Sequence, residues 1–523
     1  MTIGGRVTDT EIAGGRRRGR SRTEGARTRL PEQRPFRQPR MIYEPTEAVS
    51  ADELEMIHAA SLRILAEIGM DFLDPESRDL LADAGARVTP GSERVRFDPE
   101  MVTEIIRTCP SSFEMHTRNP DHTITIGGDH FAFGSVGSPP NIVDLDGSRR
   151  PGDRIAFRDL LRLCQMFNVI HFIGGYPVEP IDLHPSVRHI EAAFDVLTLT
   201  DKVPHTYSLG RQRNRDVLEM VRITRQVDEA TLQREPSVFS VINSSSPLRL
   251  DLPMLQGIIE LSSRNQVIVM TPFTLSGAMA PVTLAGAVAQ QNAEALAGMV
   301  FTQVVRPGAP VVYGGFTSNV DMQSGAPAFG TPEYVRTAML GGQLARRYAV
   351  PYRSSNVCAA NAIDAQAAYE SVFSLWGAIM GGVNFLMHGA GWMEGGLHAS
   401  LAKFVLDADL LSMVAALLDP VVVDEDTLAF DAIAEVGPGG HFFGVGHTQE
   451  RFRTAFHKPM ISDWRNYETW AEAGKPEAAG RAAELARQYL AEYQPPPIDP
   501  AVHAELEAFV ARRVTEGGVA TDF

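Results

Sequence analysis

The 523 residues are 44% apolar and 21% charged, the composition of an ordinary soluble protein with room for one large α/β barrel or two to three smaller domains. The net charge of −16 is uneven: residues 1–40 hold 11 arginines against 4 carboxylates, which leaves −23 on the rest and argues against a nucleic-acid surface. No apolar run is long enough to span a membrane, no apolar segment follows the Arg16-Arg17-Arg18 triplet as an export signal needs, and three scattered cysteines argue against a disulfide framework and for the cytoplasm.

Residues 1–40 are Gly-, Arg- and Pro-rich, with little to bury, and are expected to form a disordered arm. Ser50 and Glu53 stand at capping-box spacing, so a helix is predicted from Ser50 onward, with others near 75–84 and 99–108. Short β-like pieces at 94–97, 113–116 and 122–126 complete an α/β N-terminal cap over 41–125.

From there the pattern becomes regular. Apolar runs recur near 131–136, 170–176, 203–208, 237–243, 266–272, 310–316, 350–356 and 383–388. Stretches of helical character lie near 153–168, 186–199, 214–228, 251–264, 281–306, 332–348, 365–381 and 399–418. Eight β-then-α alternations suit a closed (β/α)8 TIM barrel over 126–420. An open doubly wound sheet is the alternative, but its Gly-rich phosphate turn is missing. Within this pattern Pro281 is expected to open the long Ala-rich helix, and polar loops are expected around 274–280 and 317–331. Residues 421–523 read as an extension packed on the barrel, with helices near 476–492 and 500–516.

In α/β enzymes the chemistry gathers at the carboxyl ends of the strands. Aromatic residues are frequent there, whereas Arg353 is nearly the only Lys or Arg and carboxylates are scarce. Such a rim suits a greasy cation, since aromatic faces attract quaternary ammonium by ~1–2 kcal/mol per desolvated ring. Phosphoryl transfer and glycoside hydrolysis need other equipment. No metal site is expected, because the closest histidine pairs are five or six residues apart and no cysteine accompanies them. Cys358 lacks a candidate base nearby in sequence and reads as a small buried residue. His388 stands at a predicted strand end, where it could hold a substrate carboxylate.

Several segments resemble the trimethylamine/glycine betaine corrinoid-protein methyltransferases. They include Pro281-Val-Thr-Leu-Ala-Gly286, Gln290-Gln-Asn-Ala-Glu294, Arg306-Pro-Gly-Ala-Pro310, Gly330-Thr-Pro-Glu333, Asp364-Ala-Gln-Ala and Gly440-His441-Phe-Phe-Gly444, within one register over roughly 15–515. The resemblance implies a TIM barrel that moves a methyl group from an amine to the Co(I) centre of a separate corrinoid protein. No cofactor would then be tightly bound, because the partner supplies the cobalamin. Trimethylamine-specific members carry pyrrolysine, which this sequence lacks, so a non-pyrrolysine member acting on glycine betaine or a similar betaine is expected. The alternatives are a non-catalytic betaine-binding or sensing protein and a different chemistry on the same barrel.

For that function, strand-end positions nominate Phe133, Tyr176, Tyr207, Phe273 and Phe316 for the ammonium, and Asn243, Ser355, Asn356 and His388 for the carboxylate. No residue is assigned a catalytic step. A homo-oligomer is expected, without nucleic-acid or membrane partners.

Overall fold

The computed structural model describes residues 30–521. The predicted arm lies mostly outside them, but residues 33–40 are described and packed. The Gln38 side chain donates to the Thr125 carbonyl and accepts from its N–H, and the Phe36 ring lies 4.1 Å from that of His122. These bonds order eight residues that composition alone assigned to the arm. Residues 33–521 belong to one compact unit.

The centre is a six-stranded parallel sheet: β1 (Ala132–Ser135), β2 (Phe239–Ile242), β3 (Val267–Met270), β4 (Val311–Gly314), β5 (Tyr352–Ser355) and β6 (Phe385–Ala390). They are hydrogen-bonded in the order β1-β6-β5-β4-β3-β2. The runs predicted at 170–176 and 203–208 form no strands. They contribute single parallel bridges, Gly134 to Phe172, Phe172 to Val203 and His205 to Phe239. Pro177 and Pro204 have no N–H to donate to a ladder, and Gly175 at φ 140° leaves the strand geometry.

Alternation along the strands turns Ala132, Phe239, Val267, Val269, Val312 and Phe385 into one interior cluster, which Phe172 and Val203 complete. The antiparallel pair Ser112–Met115 and Ile124–Gly127 adds Met115, Ile124 and Ile126. Gly134 makes room for this packing: a Cβ there would stand 2.1 Å from the Phe172 ring.

Eight helices alternate with these segments: α1 (Arg154–Met166), α2 (Arg188–Leu199), α3 (Arg211–Arg225), α4 (Leu252–Ser263), α5 (Leu284–Val305), α6 (Pro332–Tyr348), α7 (Ala365–Met380) and α8 (Leu401–Leu417). Asp153, Asp251, Thr331, Asp364 and Ser400 cap five of them through side-chain oxygens that accept first-turn amides. α5 starts three residues later than Pro281 suggested, because the Pro281 carbonyl instead accepts from Ser276 Oγ at 2.8 Å. Its middle, 287–303, is buried throughout, with the cap helix Ala51–Arg63 on one side and the sheet on the other. Small Ala and Gly side chains suit a helix covered on all sides. The capping box predicted at Ser50 and Glu53 is formed. No helix among the described residues is long and apolar enough to cross a membrane.

Candidate active site

Beyond the carboxyl ends of the strands the chain folds back into small additional sheets rather than the polar loops expected. Phe273–Ser276 pairs in parallel with Phe316–Val320, which pairs in turn with Pro327–Ala328. Trp392–Met393 pairs with His398–Ser400. Thr and Phe at alternate positions favour such pairing over an open loop. The register sets Phe273 opposite Phe316, with ring centroids 5.2 Å apart.

These sheets and the strand ends enclose a cavity of about 390 Å³, open to solvent on one side. Its lining includes His205, Tyr207, Asn243, Met254, Thr271, Phe273, Phe316, Phe329, Arg353, Met387, His388 and Trp392. Among the described residues no carboxylate and no lysine lines it, and Arg353 carries the one formal charge of that lining.

Arg353 is fully buried on β5. Its Nη1 donates to the Gly315 carbonyl at 3.3 Å, its Nη2 lies 3.5 Å from His388 Nε2, and Cζ sits 5.2 Å from the centroid of the Phe316 ring. Nε has no hydrogen-bond partner. Burial pushes the guanidinium down to about 10, so it stays protonated at neutral pH, and its titratable neighbours are Tyr334 and Tyr352 rather than acids. An unneutralised buried cation facing a cavity is a receptor for an anionic group.

His388 stands beside it at φ 55°, in the left-handed region that non-glycine residues rarely occupy. The register of β6 shifts between Leu386 and Ala390, and this irregularity accommodates the strained residue. Burial and then the Arg353 charge hold the imidazole well below its ordinary range, so it is neutral, and its Nδ1 has no partner. The Trp392 ring lies 4.1 Å from that of His388, and its Nε1 also lacks a partner. Three unpartnered polar nitrogens, on Arg353, His388 and Trp392, therefore gather at one end of the cavity. Burying them without a ligand is costly.

Buried carboxylates behind the lining hold its loops in place. Glu294, in the Gln290-Gln-Asn-Ala-Glu294 run of α5, accepts from Ser244 Oγ, Ser246 Oγ (2.6 Å), Leu248 N–H (2.9 Å) and Gln290 Nε2 (2.9 Å), which fixes the segment after Asn243. Gln291 accepts from Thr317 Oγ1 at 2.6 Å, next to Phe316. Glu370 accepts from the Ala359 and Ala360 N–H groups at 2.7 and 3.0 Å. Asp407 accepts from the Gly391 N–H at 2.9 Å, next to Trp392, and pairs with Lys403 in a fully buried contact.

Of the residues nominated from sequence, Tyr207, Asn243, Phe273, Phe316 and His388 line the cavity; Phe133, Tyr176, Ser355 and Asn356 do not. Phe133 alternates with the interior residues Ala132 and Gly134, and its ring lies against Phe131 and His171 instead. Tyr176 stands behind Tyr207, 4.4 Å between rings, and its N–H donates to the Tyr207 hydroxyl at 2.8 Å. The Asn356 Nδ2 donates to the Gly389 carbonyl at 3.0 Å. Cys358 is buried, its thiol pushed up to about 12.

Sequence reasoning did not assign Arg353, Phe329, Trp392 or His205 to the site. A lone arginine inside an apolar run was a usable signal for Arg353. Phe329 and Trp392 lie past their strand ends and reach the cavity only through the extra sheets. Among the described residues no group of three or more His, Cys, Asp or Glu side chains is arranged to hold a metal ion.

A glycine betaine methyltransferase of Desulfitobacterium hafniense (strain Y51) is 34% identical over 471 residues, which is 90% of this chain and 98% of that protein. The trimethylamine methyltransferase MttB of D. hafniense (strain DSM 10664 / DCB-2) is 29% identical, over 90% of this chain and 95% of its own. The solved structure of the hydroxylamine MtmB complex aligns at a TM-score of 0.48 and 10% identity, over 88% of this chain and 89% of that one. The family model for trimethylamine methyltransferase (MTTB) matches residues 15–518, and the chain belongs to that family.

Proposed function

We propose that the chain is a methyltransferase whose methyl donor is a quaternary amine carrying a carboxylate, glycine betaine or a similar betaine, and whose acceptor is the Co(I) of a separate corrinoid protein. The observation that carries this reading is Arg353: a buried guanidinium without a carboxylate partner, in a cavity whose lining includes the aromatic side chains Tyr207, Phe273, Phe316, Phe329 and Trp392. A free trimethylammonium cation would meet an uncompensated positive charge there. A betaine brings its own anion to neutralise Arg353 and leaves its ammonium for the rings. The glycine betaine methyltransferase among the relatives agrees with this choice.

In this reading Arg353, His388 and Trp392 Nε1 receive the carboxylate, with Asn243 as a further donor. Phe273, Phe316, Phe329 and Tyr207 surround the trimethylammonium. The corrinoid supplies a cobalt nucleophile that takes the methyl as the C–N bond breaks, while the electron pair stays on nitrogen and a neutral tertiary amine departs. No proton is needed, so the chain's task is to orient one methyl toward the open side and exclude water from the rest. Neutral His388 fits a positioning task and leaves no acid to provide. The parallel bridges through Phe172, Val203 and His205 support a closed (β/α)8 barrel as the scaffold. Three free cysteines support a cytoplasmic setting.

A non-catalytic betaine-binding protein would share the cavity. Incubation with glycine betaine and a reduced corrinoid protein separates the two: methyl-cobalt formation is expected, and tight betaine binding without it would favour the binding protein. Absence of binding for every betaine tried would overturn both.

A further inference from the structure

The chain carries two exposed apolar surfaces that do not cover one another. The first is the segment 421–459, which leaves the body after Asp419 at the end of α8. It returns at Met460 and Ile461, whose N–H groups donate to Asp409 of α8 at 2.9 and 3.0 Å. Both ends of this excursion are thus tied to one helix. Along it only Ala432 and Val445 are buried. Val421, Phe430, Phe443 and Phe456 are 87%, 75%, 81% and 84% exposed, and Leu428 and Phe452 are also exposed. A segment with this much apolar surface and no core of its own is built to be covered.

The second surface lies on the body. Tyr369, Val372, Phe373 and Trp376 recur at i, i+3, i+4 and i+7 along the outer face of α7 and are exposed; Met413 and Leu417 of α8 are exposed as well. Lys403 Nζ donates to Ser371 Oγ at 2.8 Å, which makes the two helices neighbours. Leu417 stands two residues before Asp419, at the root of the arm.

We propose that 421–459 is an exchanged arm that seats on the α7–α8 face of a second copy of this chain, while the second copy's arm seats on the first. A twofold pair satisfies both surfaces at once, each residue type meeting the same partner twice. Ten large apolar side chains lie exposed on the arm. At roughly 100 Å² each they would bury about 1,000 Å² per arm, and two arms reach the size of a stable interface. A corrinoid protein is the less suitable occupant. It must reach the cavity, whereas α8 starts next to the cavity-lining Trp392 segment and ends, at the arm's root, one helix length away.

Sedimentation of the full chain tests the proposal, with Phe443→Asp/Phe456→Asp on the arm and Phe373→Asp/Trp376→Glu on the face. The unmodified protein is expected at twice the chain mass or an even multiple, and each variant at a reduced mass with its circular dichroism unchanged. A monomeric unmodified protein, or either variant keeping the full assembly, would overturn it. Should a variant fail to fold, hydrogen exchange of the unmodified protein decides. Protection of 421–459 and of the outer α7 face that rises with protein concentration supports the exchange, and protection independent of concentration overturns it.

Discussion

The Arg353 guanidinium lies 3.5 Å from the His388 imidazole at the buried end of a cavity with no acid in its lining. The neutral ring can stand so close because burial and the neighbouring charge both oppose its protonation. Two donors of different kinds then share one place for an anion.

Arg353→Met removes the charge and keeps much of the stem. A charge-assisted hydrogen bond contributes about 1.5–3 kcal/mol, so glycine betaine should bind roughly 10- to 150-fold more weakly by calorimetry. Tetramethylammonium, which has no carboxylate, should bind no worse to the variant than to the parent. Equal losses for both ligands would show that Arg353 acts only on packing.

Acid should weaken the fold through its buried histidines. Burial holds His58 down to about 4 and His171 and His205 down to about 3, against an ordinary value of 6.5. In the unfolded chain these rings take up protons near 6.5, and in the folded one they do not until much lower. The stability they contribute is therefore present above pH 6.5 and is lost as pH falls toward 4 and then 3, by up to about 1.4 kcal/mol per pH unit per histidine. Urea midpoints at pH 7.5 and pH 5 measure this; an unchanged midpoint would contradict it.

Asp407→Asn should damage both stability and substrate binding. It leaves Lys403 charged in a fully buried place, a change that typically costs about 3–5 kcal/mol, and it weakens the bond to Gly391 beside Trp392. Denaturant unfolding reads the first effect and betaine titration the second. Replacing the pair together, Lys403→Met with Asp407→Leu, should cost less in stability than Asp407→Asn alone.

Gly134→Ala sets a methyl group 2.1 Å from the Phe172 ring, which is itself stacked on Phe385 at 3.9 Å. Backbone or ring must shift, and a loss of about 1–3 kcal/mol is expected in a thermal melt. Retained stability would mean that the interior is looser around Phe172 than its packing suggests.

Much of the architecture was legible in the residues. The eight helices follow from apolar period and caps, and α6 begins and ends where Pro332 and the 3.6-residue stripe place it. The strand runs were also visible, but 170–176 and 203–208 shrank to bridges, because proline donors are missing and that depends on which neighbour each residue meets. Of the strand-end positions, Tyr207, Asn243, Phe273, Phe316 and His388 line one cavity, since parallel strands deliver their carboxyl ends together. It failed for Phe133, where a one-residue step in a period of two reverses the face.

The sequence by itself determined the alternation of strand and helix, the aromatic rim and its poverty in acids, because periodicity and composition are local properties. Tertiary structure alone decided that Arg353 is buried without an acid, that Trp392 and Phe329 reach the cavity from beyond their strand ends, and that Glu294, Glu370 and Asp407 hold the segments after Asn243, Asn356 and Ala390 from behind. Burial and pairing are relations between residues far apart in the chain, and only the folded backbone sets those distances.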